Sequence, residues 1–205
     1  MSNRLKKTLS KVYNLSRQNK NETILIWIFL DSNRINNYER FINSIPSSRK
    51  IGIIFRSKDI KKKYHYIKGL LKLCRRKKFT FIVSSSYIIA KSIGADGVHY
   101  PKPFRYARQD NKLFITCSYH GYNDVKRIKH LHSKLVFISP IFSTRSDINK
   151  KKRGIIKISF LANYLKTQYS VLGGVRENNI RFLRNRGINS ISGLDIILDI
   201  IEYKC

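Results

Sequence analysis

A chain of 205 residues with 42% hydrophobic content is long enough for one domain with a sizeable core, and no apolar run approaches the ~20 residues of a membrane-spanning helix. Its 42 Lys and Arg against 12 Asp and Glu give a net charge of +30, a balance that suits nucleic acid, an anionic surface or phosphorylated ligands. Cys74, Cys117 and Cys205 are odd in number and far apart, which argues against a disulfide framework or a cysteine metal site and fits a reducing cytoplasm.

In chain order, residues 1–22 read as a basic N-terminal extension, helical or frayed, with six cations and no acid in the first 20. Thr23 to Leu30 is too short and too far in to be a signal peptide. From 23 to 205, short apolar runs alternate with longer amphipathic stretches. The runs are Ile24–Leu30, Ile51–Phe55, Phe79–Val83, Gly97–Tyr100, Leu113–Cys117, Leu135–Ser139, Ser170–Leu172 and Asn189–Ile191. Continuous runs of Ile, Val and Phe suit strands buried on both faces of a parallel sheet. Helices are expected over Asn36–Ile45, Ile60–Arg76, Tyr87–Ile93, Asn123–His132, Ile158–Leu165, Glu177–Arg186 and Leu194–Tyr203. Gly94 would stop the third of these and Asn123 would cap the fourth. Alternation of eight strands with helices favours a compact α/β (β/α)₈ TIM barrel over an open doubly wound sheet. Phe142–Gly154 is the one long polar loop. It follows the sixth strand and would lie on the active-site face.

The cations are spread along the whole chain, which is also rich in Ile and Asn. AT-rich codons encode Lys, Ile and Asn, so codon drift over a solvated surface is the expected source of the charge, ahead of nucleic-acid binding. The clusters Lys61-Lys62-Lys63 and Arg75-Arg76-Lys77-Lys78 would hold RNA only if they align with other basic surface, and no aromatic motif interleaves with them.

Two segments point to chemistry. Ile93-Gly94-Ala95-Asp96-Gly97-Val98-His99 reads as a helix end, a tight turn and a buried strand. Val171-Leu172-Gly173-Gly174-Val175 delivers paired glycines from a strand to a helix start, the arrangement of a phosphate site. Arg56 and Lys58 alternate at the mouth of the second strand and would face one anion together. His99 reads as a packed histidine with a satisfied hydrogen bond. His130 and His132 lie on a basic, solvated helix. His120 follows a strand, and imidazole is the side-chain type suited to taking and returning a proton.

These motifs together resemble the thiamine-phosphate synthase/TenI superfamily from about Ile24 onward. The carriers are Phe55-Arg56-Ser57-Lys58-Asp59, Gly94 to His99, Ser118-Tyr119-His120, Ser139-Pro140-Ile141-Phe142-Ser143-Thr144 and Gly173-Gly174-Val175, in family order. The resemblance implies a thiazole phosphate held by Gly173, Gly174, Leu194 and Asp195, assisted by Thr144 and Ser146, with Arg56, Lys58 and Ser118 as further anion contacts. It also carries departures. Ser84-Ser85 replace an Asn-Asp pair, Phe104 replaces a second acid, and Ile54 replaces a Gln. A synthase coupling a pyrimidine diphosphate to the thiazole phosphate uses such carboxylates for Mg²⁺, and Ser and Phe are poor substitutes. Ser139 stands for a glycine, and Asp195 stands where a Ser is usual. Pro101 and the loop ending in Arg153-Gly154 resemble the TenI branch, whose thiazole tautomerases need no metal. The expectation is therefore an isomerase with His120 as its acid/base and no cofactor. A diverged synthase, with Mg²⁺, is the alternative, and a non-catalytic barrel binding a phosphate ligand or RNA is the third reading.

Overall fold

The computed structural model describes residues 3–15, 24–57, 59–102, 107–142, 164, 167–183, 188 and 190–201. Helix α1 (Asn3–Tyr13) comes first, followed by β1 (Ile26–Leu30), α2 (Tyr38–Ser44) and β2 (Ile51–Phe55). A 3₁₀ turn at Lys61–Lys63 leads into α3 (Tyr64–Arg76), then β3 (Thr80–Ser84), α4 (Tyr87–Ile93) and β4 (Gly97–Tyr100). After them come β5 (Phe114–Tyr119), α5 (Asp124–His130), β6 (Leu135–Ile138) and β7 (Gln168–Leu172). A 3₁₀ turn at Ile180–Leu183, β8 (Ser190–Ser192) and α6 (Asp195–Ile201) are the last elements of the described residues. The eight strands run in sequence order and close on one another, β8 pairing with β1 through Ile26↔Ile191 and Trp27↔Ser192. Every pairing is parallel, so the fold is a compact (β/α)₈ barrel.

Successive strand residues point to opposite faces, and the two faces have separate fillings. The outward residues pack under the helices in one large cluster that includes Ile28, Ile53, Val83, Val98 and Ile191. The inward residues form a second cluster of Trp27, Phe29, Ile54, Ile82, Leu135 and Phe137. Trp27 fills the bore from β1, stacked with Phe114 and edge-on to Phe137. That is possible because β2 places a glycine opposite it. A Cβ on Gly52 would lie 2.3 Å from two Trp27 ring carbons.

Within the stretch 1–22 read as an extension, α1 buries Thr8 and places Leu5, Leu9 and Val12 in the barrel's outer cluster, against β8 and the second 3₁₀ turn. Arg4 and Lys11 each reach Glu177 at 3.2 Å. This helix is part of the folded unit.

Three local expectations differ from the structure. The helix expected over Glu177–Arg186 is a single 3₁₀ turn among the described residues. Asn179 uses its side chain to accept from Arg176 N–H and to donate to Gly174 O, local bonds that compete with helix formation. Asn123 does not cap α5. Its own backbone is already helical, because the chain starts winding at Gly121. Only β2 and β4 keep the expected bounds, and the other strands are shifted, shortened or extended by one or two residues. Gly94 stops α4 as expected, with φ 71° and its N–H on Ala90 O and Lys91 O. The expected helix Ile158–Leu165 lies outside the described residues except for 164.

Candidate functional site

In an all-parallel barrel every strand ends at the same mouth, so residues far apart in sequence meet on one rim. Arg56 follows β2, Ser118 lies in β5, His120 follows β5, Gly173 and Gly174 follow β7, and Leu194 and Asp195 follow β8. The fold brings these seven to that rim. Lys58, Thr144 and Ser146, predicted for the same site, lie outside the described residues, as do Phe104, Arg153 and Gly154.

The floor of the mouth is His99. It is fully buried, edge-on to Phe29 and Phe137, with Nδ1 2.9 Å from Thr116 Oγ1 and Nε2 3.2 Å from Ser118 Oγ. Burial, reinforced by the charges of Arg56, Arg127 and His120, lowers its pKa from 6.5 to about 3. His99 is therefore a neutral packed group at any physiological pH. Ser118 shares this buried position and points to His99. Above it the exposed Arg56 guanidinium, following β2, lies 5.2 Å over the ring of Phe29 on the neighbouring β1.

His120 is held from two sides. Its N–H donates to Asp124 Oδ2 at 2.7 Å, and its Nε2 lies 2.9 Å from Pro101 O. A carbonyl only accepts, so Nε2 carries the hydrogen in the neutral ring and Nδ1 is the basic nitrogen. Burial works against the ionised form of Asp124. The hydrogen bond from His120 N–H, with the hydrogen bond and charge of Arg127, outweighs it and holds the carboxyl below the usual carboxylate range.

On the other side of the rim, Gly173 and Gly174 have φ of 98° and 68°. Two adjacent residues in this region explain why the turn is built from glycine. Their carbonyls are engaged by Phe142 N–H and by the Asn179 amide. Gly193, at φ 148°, donates its N–H to Trp27 O and brings Leu194 and Asp195 round to the rim. An acid there would repel a phosphate, but Arg34 reaches Asp195 Oδ1 at 2.6 Å and neutralises it.

Reading the sequence alone missed Arg34, Asp124, Arg127 and Asn179. The Asp124–Arg127 pair had a signal, opposite charges three residues apart on a helix. Arg34 had none, since its partner is 161 residues away.

Mg²⁺ requires several hard oxygen ligands. At the end of β3, Ser84 and Ser85 hydroxyls lie 3.3 Å from each other, and Asp124 and Asp195 are committed to arginines. Among the described residues no group of three His, Cys, Asp or Glu side chains gathers to hold a metal. Among the described residues, the end of β3 thus offers hydroxyls where a metal site would need carboxylates. No helix of the described residues is long and apolar enough to cross a membrane.

At the opposite, N-terminal end of the barrel, a cavity of about 620 Å³ is lined by Arg49, Lys50, Arg75 and Lys78 with Asp96. Part of the second basic cluster thus does align with other cations.

Comparison with known proteins agrees with the fold. The family model described as thiamine monophosphate synthase matches residues 32–197. The thiamine-phosphate synthase of Prochlorococcus marinus (strain AS9601) is 30% identical over 125 residues, which are 58% of this chain and 36% of that protein. The chain thus spans about a third of that relative's length. The thiamine-phosphate synthase of Fusobacterium nucleatum is 26% identical over 175 residues, 82% of this chain and 84% of that one. The solved thiamine phosphate pyrophosphorylase from Pyrococcus furiosus superposes with a TM-score of 0.71 at 16% identity, covering 87% of this chain and 92% of that one. At that identity the likeness speaks for the barrel fold alone.

Proposed function

This chain belongs to the thiamine monophosphate synthase family, an enzyme family, and from that premise we propose that it is a metal-independent isomerase acting on a thiazole phosphate. The observation that carries this reading is His120, held at the mouth with Nε2–H on Pro101 O and a basic Nδ1. Tautomerisation takes a proton from one position of the substrate and returns one to another as a double bond moves. Nothing else leaves, so one group that both accepts and donates is sufficient. In this reading His120 takes the proton at Nδ1 and gives it back from the same nitrogen. Arg56, with Lys58, balances the substrate carboxylate, while Ser118 contributes a hydroxyl beside it. The Gly173-Gly174 turn and the Leu194-Asp195 backbone, with Thr144 and Ser146, receive the phosphate. Pairing of Asp195 with Arg34 removes the repulsion that an unpaired acid would bring.

The synthase is the second reading, and the names of the relatives favour it. It would couple a pyrimidine diphosphate to the thiazole phosphate, and Mg²⁺ would serve the leaving group. The serines at 84 and 85 weigh against it. A binding-only barrel draws support from the cations of the N-terminal cavity.

Proton NMR in D₂O tests all three. With thiazole carboxylate phosphate and a chelator, solvent deuterium should enter the substrate, and His120→Ala should slow this by about 10²-fold or more. Product formed only with Mg²⁺ and the pyrimidine diphosphate would establish the synthase instead. Neither reaction, together with RNA affinity that falls steeply with salt, would establish the binding-only barrel.

A further inference from the structure

We infer that Arg127 and Asp124 are positioning residues for His120, a buried clamp that fixes both the backbone carrying the imidazole and the carbonyl that sets its tautomer. The kinetic consequence rests on the isomerase reading; the structural claim does not. Arg127 lies on α5, one turn past the loop that carries His120. Its Nη1 donates to Tyr100 O at 2.8 Å, and its Nη2 donates to Ser118 O and Asp124 Oδ1 at 2.7 Å each. Tyr100 directly precedes Pro101, whose carbonyl takes the His120 Nε2–H. Ser118 is two residues before His120. Asp124 closes the circuit by accepting the His120 N–H at 2.7 Å. One guanidinium therefore joins the end of β4, the end of β5 and the start of α5 around the His120–Pro101 bond.

The arrangement is buried, with the side chains of Arg127 and Asp124 only 11% and 9% exposed. Burying two charges is costly unless each is met by fixed partners. Here the planar fork meets three oxygens at once, a match that a flexible ammonium cannot reproduce. Arg127 Nε nonetheless finds no hydrogen-bond partner. Packing alone would be met more simply by an apolar side chain. What the ion pair adds is a fixed distance between an exposed imidazole and its acceptor carbonyl. A residue on an exposed loop otherwise rotates among rotamers, and both neutral tautomers become populated. A base whose proton-accepting nitrogen must face the substrate loses rate in proportion to the time spent in the wrong tautomer or orientation.

The test reads the tautomer directly, by ¹⁵N-resolved NMR of the His120 imidazole in the full chain. Wild type should show one neutral form with hydrogen on Nε2. Arg127→Met should show a mixture of both forms, and Arg127→Lys should lie between the two. Asp124→Asn, which keeps an acceptor for the His120 N–H but loses the charge, tests the clamp should Arg127→Met fail to fold. In the D₂O exchange assay, kcat should fall by about 10-fold or more in Arg127→Met with KM within about twofold. A single Nε2–H tautomer retained in every folded variant would overturn the inference. Tautomer mixing in the variants, with wild type inactive as an isomerase, would support the clamp and remove the reading of the reaction.

Discussion

Stability should fall on mild acidification because of one residue, His99. In the unfolded chain its imidazole titrates near the ordinary 6.5, whereas in the barrel burial and nearby cations hold it at about 3. As pH drops below 6.5 the unfolded chain takes up a proton that the folded chain refuses. The folded-state advantage is therefore complete above 6.5 and is lost as pH falls toward 3. A gap of about 3.5 units corresponds to about 5 kcal/mol once pH is below both values. Between pH 7 and pH 5 the same linkage removes about 2 kcal/mol. The hydrogen bonds to Thr116 and Ser118 do not oppose protonation, since hydroxyls accept as readily as they donate. The penalty comes from desolvation first, then from Arg56 and Arg127. Urea denaturation at pH 7, 6 and 5 measures the loss. The same series on His99→Gln, which cannot titrate, removes the contribution of all other groups. Wild type should lose about 2 kcal/mol more than the variant over this range. Parallel pH curves would refute the assignment of a depressed, buried imidazole.

Two further outcomes follow from packing and charge. Gly52→Ala places a Cβ 2.3 Å from the Trp27 ring and should cost ~1–3 kcal/mol in urea denaturation. Combining it with Trp27→Leu should recover part of that loss, and strict additivity of the two changes would show that the clash is not the cause. Glu177→Gln removes the partners of Arg4 and Lys11. At a partly exposed, salt-screened site this should cost about 0.5–1 kcal/mol and raise amide exchange in α1. Burial opposes ionisation of Glu177, but the two cations win and hold its carboxyl below the usual range. The difference between wild type and variant should therefore be full above about pH 4.5 and vanish as pH falls further. An α1 that exchanges equally fast in both proteins would mean that Glu177 does not tether it.

How far the chain could be read depended on the range of each interaction. Strand identity was legible because Ile, Val and Phe cluster in short continuous runs, as in Ile51–Phe55 and Phe79–Val83, and a strand buried on both faces needs little else. Gly94 was legible as a helix stop, and the Gly173-Gly174 doublet as a turn, since positive φ is a local demand of the backbone. The rim position of Arg56, Ser118, His120 and Asp195 followed once parallel alternation was granted. The 3₁₀ turn that the described residues form after β7 was not legible, because it turns on which groups the Asn179 side chain reaches. The pairing of Asp195 with Arg34 depended on closure of the barrel, which brings β1 against β8, and the contact of Gly52 with Trp27 depended on the register in which β1 pairs β2. The residues alone thus determined the strand–helix alternation and the residue types available for proton transfer and anion binding. Only the tertiary structure decided which charges cancel, which histidine is buried neutral and which is held at the rim, because those outcomes depend on distances between segments that periodicity along the chain does not encode.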